Sequence, residues 1–104
     1  MLRGKKLGIL VSIPPTHANF GRGLSLAETA LSEGVDVYLY CIDEAVLGVD
    51  ESKLQLLRER GLKLYACAYA AQRRGLALTD KAIFSGLSVV SDLIVGTDRF
   101  LSFN

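Results

Sequence analysis

The chain has 104 residues, half of them apolar, and a formal net charge of +1. That length holds one core and excludes two domains. The near-neutral balance gives no electrostatic drive toward nucleic acid or an acidic membrane, and no run approaches the roughly 18 apolar residues of a membrane span.

In chain order, the basic residues Arg3, Lys5 and Lys6 precede a short apolar stretch that stops at Pro14-Pro15 without a small-residue cleavage site. This argues against a signal peptide. The continuous apolar run of residues 7–13 predicts a strand buried on both faces, the pattern of a parallel sheet. Pro14 to Asn19 is a loop. From Phe20 or Gly21 the spacing turns helical, with Leu24, Ala27 and Leu31 on one stripe and Gly34 as the stop. Residues 35–42, rich in β-branched and aromatic side chains, predict the second strand, which Asp43 ends. Residues 44–49 are too short a stretch to assign. Asp50 then reads as the N-cap of a helix over 51–60, with Leu54 and Leu57 on its apolar face and Gly61 as its stop.

A third strand over 62–67 runs into a small-residue helix over 68–74 that Gly75 ends. Thr79 reads as the cap of a short helical turn ahead of Gly86. Residues 87–90 read as a fourth strand, Ser91 as a cap for 92–96, and residues 99–103 as a fifth strand. Strands alternating with helices imply right-handed βαβ units and a parallel sheet between helical layers. The mean hydropathy of +0.31 is high for so small a chain. The apolar excess points to self-association, because a small domain has too little interior to hide it.

Cys67 is the residue with the most chemical promise. It stands where the third strand ends and a helix begins, the place where open α/β sheets bind ligands and where a helix amino terminus favours a thiolate. The competing reading is packing, since free cysteine usually behaves as a small hydrophobe. The loop of residues 14–23 and Asp43 converge on the same sheet edge. His17 is a candidate to exchange a proton or pair with the Cys67 thiol; a lone loop histidine is more often simply solvated. Gly21-Arg22-Gly23 lacks the third glycine of a dinucleotide fingerprint, because Leu26 stands there, and no P-loop follows. Those glycines are expected to let the loop turn into the helix, and Arg22 with the helix-start amides is only a weak signal for a small anion. Cys41, inside the second strand among apolar neighbours, reads as core. Two cysteines and one histidine without matching spacing give no zinc site, and no Gly-x-Ser-x-Gly elbow occurs. Two cysteines in such a chain do not form a disulfide scaffold, and the expected compartment is the reducing cytoplasm.

The segment Tyr65-Ala66-Cys67-Ala68-Tyr69-Ala70-Ala71-Gln72-Arg73-Arg74-Gly75 resembles the active-cysteine segment of the DsrE/DsrF-like sulfur-relay family. There a strand leads into a cysteine, and a small-residue helix ends in Arg-Gly. Residues 19–34, 37–43 and 98–103 carry supporting similarity, so the likeness spans nearly the whole chain. It implies a single domain over residues 1–104 with a three-layer α/β/α architecture and a five-stranded, mainly parallel sheet, assembled as a homotrimer or homohexamer. It further implies that Cys67 carries sulfur as a persulfide, as a sulfur carrier or sulfurtransferase, with no organic cofactor and with sulfur donor and acceptor proteins as partners. Only Cys67 carries over from the family motif. His17 and Asn19 occupy the loop facing it as candidate binding residues. The alternative is a non-catalytic oligomeric module that binds a small anion or nucleotide, with Cys67 structural. A third reading is a thiol redox sensor using Cys67 with or without Cys41.

Overall fold

A computed structural model describes residues 2–104. The elements are β1 (Lys6–Val11), α1 (Ala18–Ser32), β2 (Asp36–Cys41), a 3₁₀ helix (Asp43–Gly48), α2 (Ser52–Glu59), β3 (Lys63–Cys67), α3 (Ala68–Arg73), β4 (Ile83–Ser85), α4 (Ser88–Gly96) and β5 (Arg99–Phe103). The five strands form one sheet in the order β4-β3-β2-β1-β5, and every neighbouring pair is parallel. This is the expected α/β architecture.

The chain steps outward from β1 to β4 and then returns to lay β5 beside β1. With right-handed crossovers, the outward steps put α1, the 3₁₀ helix, α2 and α3 on one face, and the return puts α4 alone on the other. Strand alternation sorts the side chains accordingly. Ile9, Val11, Val37, Leu39, Cys41, Leu64 and Ala66 point to the heavily covered face and are buried there with Leu24, Ala27, Leu54 and Leu57. On the opposite face α4 packs against β1 and β5. Tyr38 and Tyr65 stay half-buried there, and Ile83 is exposed. Gly8 matters on that face: a Cβ there would lie 2.6 Å from the Phe100 ring, so the bare backbone is what lets Phe100 lie across β1.

Several local expectations fail. The fourth strand is not residues 87–90 but Ile83–Ser85, and residues 88–96 are one helix that starts ahead of Ser91. Val89, Val90 and Leu93 fall on one helical face and pack on the core; that packing overrides their β-branched preference. Thr79 caps no helix, its hydroxyl instead accepting from the Lys81 amide at 3.3 Å in a turn. The first helix also begins earlier than expected, at Ala18, so Gly21 and Gly23 lie within it rather than in a loop leading to it. At α2 the N-cap is Glu51 rather than Asp50, with no side-chain capping bond. Among the described residues, no helix is long and apolar enough to cross a membrane.

Candidate functional site around Cys67

β3 delivers Cys67 to the carboxyl edge of the sheet, and the backbone turns there directly into α3. Cys67 keeps an extended conformation (φ −70°, ψ 115°) and serves as the N-cap residue. The Ala70 amide donates to its sulfur at 3.4 Å, which satisfies one of the amides a helix start leaves without an intrahelical partner. Gly75, at φ +69°, closes the segment in the left-handed conformation that glycine adopts at least cost. The Arg74 guanidinium donates to the Ala70 carbonyl at 3.1 Å, and Arg73 lies over the Tyr69 ring.

Cys67 is only 4% exposed, although it stands at the sheet edge. What surrounds it is polar on one side. In the β3–β4 ladder Cys67 is paired with Ser85. The Tyr40 hydroxyl, from β2, donates to the carbonyls of Ser85 and Gly86, both at 3.1 Å. The Tyr40 ring stacks on Tyr65, two residues before Cys67, with centroids 6.5 Å apart. Burial pushes the Tyr40 phenol above its ordinary value, the Ser85 side chain beside it pulls it back, and the nearby Cys67 raises it again. The Ser85 hydroxyl oxygen is buried without a partner.

Cys41 belongs to different surroundings. It pairs with Ala66, so it shares that residue's face of the sheet, and the next residue, Cys67, turns to the other. The two thiols are therefore not brought together as a redox pair. Full burial pushes the Cys41 thiol up to about 12. It is packed in the core.

His17 and Asn19 lie at the same carboxyl edge, but beside β1 and β5. His17 caps α1, its Nδ1 accepting from the Asn19 amide at 3.0 Å. Asn19 donates through Nδ2 to the Asn104 carbonyl at 2.8 Å and accepts from Arg22. β2 stands between β1 and β3, a lateral separation of about 10 Å at the usual strand spacing. Among the described residues no hydrogen bond joins either side chain to Cys67. Nor does any group of three His, Cys, Asp or Glu side chains among them form a metal-binding cluster.

The residues that do surround Cys67 were not legible as a site. Tyr40 offered one signal, a phenol in an apolar strand, which must find a partner once buried. That its partner would be the Ser85–Gly86 turn depends on the strand order, which local pattern does not encode.

A family model for the DsrE/DsrF-like family matches residues 5–103. The chain belongs to the DsrE/DsrF-like family. A comparison with curated proteins returned no match. Among solved structures the chain is similar to the YchN protein of Escherichia coli, at 19% identity and a TM-score of 0.81, covering 95% of this chain and 99% of that one. It is also similar to a conserved protein of unknown function from Bacteroides thetaiotaomicron, at 16% identity and a TM-score of 0.70, covering 94% of each. At these identities the likeness is one of fold. The DsrE/DsrF-like match takes in the whole sheet, including β3, Cys67 and α3.

Proposed function

We propose that this DsrE/DsrF-like protein carries sulfane sulfur as a persulfide on Cys67. The observation that carries the reading is the position of that thiol, at the carboxyl end of a parallel strand with an amide directed at its sulfur, in a chain of a sulfur-relay family. The chemistry needs little else. The Cys67 thiolate attacks the terminal sulfur of a donor persulfide, R–S–SH. A bond forms between the Cys67 sulfur and that terminal sulfur, the donor's S–S bond breaks, and R–S⁻ leaves as a thiolate. An acceptor thiolate then attacks the outer sulfur of Cys67–S–SH and regenerates the Cys67 thiolate. Each step exchanges one S–S bond for another with no net redox change, governed by thiolate fraction, leaving group and access.

Access is the demanding term. With Cys67 only 4% exposed, a donor reaches the sulfur after a local opening of the sheet edge. The donor and acceptor are thiol-bearing proteins, and the working form is a homotrimer or homohexamer. Exposed apolar side chains on β4, on α4 and at its N-cap, namely Ile83, Ile94, Val95 and Leu87, support that assembly. His17 and Asn19 enter as residues that shape the neighbouring edge rather than as groups on the sulfur.

The burial of Cys67 favours a second reading, an oligomeric module for a small anion or nucleotide in which Cys67 only packs. One experiment separates the two. Intact mass spectrometry after incubation with a small persulfide donor should show a gain of about 32 Da, one sulfur atom, that reductant removes and that Cys67→Ser lacks. A wild type that gains no sulfur leaves the binding module.

A further inference from the structure

Beyond the cysteine itself, the next-to-last residue of β2 stands out. We propose that the Tyr40 hydroxyl is the hydrogen-bond donor that stabilises the Cys67 thiolate, turning from the Ser85 and Gly86 carbonyls to the sulfur when the thiol loses its proton. The inference rests on the reading of Cys67 as the reacting thiol.

Tyr40 has no exposed surface. A phenol buried so completely keeps its hydroxyl only where a partner waits. The partners here are two main-chain carbonyls at 3.1 Å, shared by one proton. The first belongs to Ser85, the ladder partner of Cys67. The hydroxyl is therefore held at the turn beside the sulfur. A carbonyl oxygen offers a thiolate no proton. Tyr40 gives the same wall a donor that can choose between two neutral oxygens and an anion. Hydrogen bonds to an ionised acceptor are about twice as strong as those between neutral groups, so the anion wins when it forms. The Ala70 amide already serves the sulfur from the other side, and Tyr40 supplies the second donor.

Few other groups compete. The titratable side chains that act on the Tyr40 hydroxyl are Cys67 and, more weakly, Cys41. Tyr65 meets its ring by stacking. From β4 and the turn that follows come Ser85, with its unpartnered hydroxyl, and Gly86. No charged side chain among the described residues is buried, so none stands in the interior to neutralise the anion instead.

The test is the rate at which iodoacetamide alkylates Cys67, resolved from Cys41 by peptide mass mapping, as a function of pH. In Tyr40→Phe the rate at neutral pH should fall about tenfold, the value of one charge-assisted hydrogen bond. The alkaline plateau should stay within about twofold, because there the thiolate is fully formed in both proteins. A merely structural effect on access would move both limbs together, and an unchanged neutral-pH rate would equally overturn the role of Tyr40. A drop in Ser85→Ala with none in Tyr40→Phe would move the donor to Ser85 and likewise overturn it. Should Tyr40→Phe fail to fold, the wild type still decides: the Cζ resonance of Tyr40 should shift through the same pH range in which alkylation of Cys67 rises, and a flat resonance would refute the switch. Sulfur loading of the wild type is read separately. Loading with a flat Tyr40 response removes this inference and keeps the carrier; no loading removes the carrier itself and the catalytic purpose of the donor.

Discussion

The Ala70 amide donates to the Cys67 sulfur at 3.4 Å, so the same atom proposed to carry sulfur also caps α3. This coupling sets what substitution should do. Serine is among the best N-cap residues, and its oxygen accepts the same amide more strongly than sulfur does. Although the site is buried, Cys67→Ser should therefore stay within about 1 kcal/mol of wild type in chemical denaturation while losing all sulfur loading. Cys67→Ala, which keeps no acceptor, should be destabilised by about 1 kcal/mol. A serine variant that loses more than about 3 kcal/mol would mean that the cap is not formed in solution.

The two thiols should differ in reactivity even though both are buried. Burial pushes the Cys41 thiol up to about 12, leaving it about five pH units below its midpoint in neutral buffer, so hardly any of it is thiolate. Cys67 lies at the sheet edge, 4% exposed against none for Cys41, and holds an amide donor. Limiting iodoacetamide at neutral pH should label Cys67 well ahead of Cys41 in the native protein. Equal labelling, or Cys41 first, would reverse the assignment of the reacting thiol.

Cys41 also predicts an alkaline weakness. Its folded value, about 12, lies above the ordinary 9.0. The unfolded chain therefore releases this proton first as pH rises, and the folded state still binds it. The contribution is complete below about pH 9 and is lost as pH climbs toward about 12, at about 1.4 kcal/mol per pH unit within that window. Denaturant midpoints measured across that range should fall more steeply for wild type than for Cys41→Ala. Parallel curves for the two proteins would show that Cys41 is not held protonated by the core.

Assembly should follow from the thinly covered face. Val95 is 87% exposed on α4, close in sequence to Ile94 and on the same side of the sheet as exposed Ile83. Sedimentation at micromolar concentration should show trimers or hexamers with no appreciable species near the 11.3 kDa of one chain. Val95→Asp should release monomers without unfolding them, since the side chain contributes nothing to the monomer core. A wild type that sediments as a monomer would end the oligomer proposal.

The sequence by itself was enough for the class of fold and for the place of Cys67 within it. The apolar run of β1 and the β-branched run of β2 are legible because strands buried on both faces need continuous apolar side chains. Gly34, Gly61 and Gly75 mark helix ends because each needs a positive φ there. Cys67 was legible for a similar reason: a strand, a small-residue helix and a glycine stop fix its place at the sheet edge within a dozen residues. What only the tertiary structure decided depends on contacts between distant segments. Residues 87–90 have strand-like composition, yet Val89, Val90 and Leu93 form one helical face on the core. His17 and Asn19 were expected in a loop facing Cys67, but they open α1 beside β1 and β5, β2 lies between β1 and β3, and His17 Nδ1 caps α1 while the Asn19 amide bonds Asn104 and Arg22. The burial of Cys67, and the Tyr40 hydroxyl bound to the turn beside it, arise from the order β4-β3-β2. Local pattern records which side chains want to be inside; which of them meet is settled by strand order and register, and those are long-range.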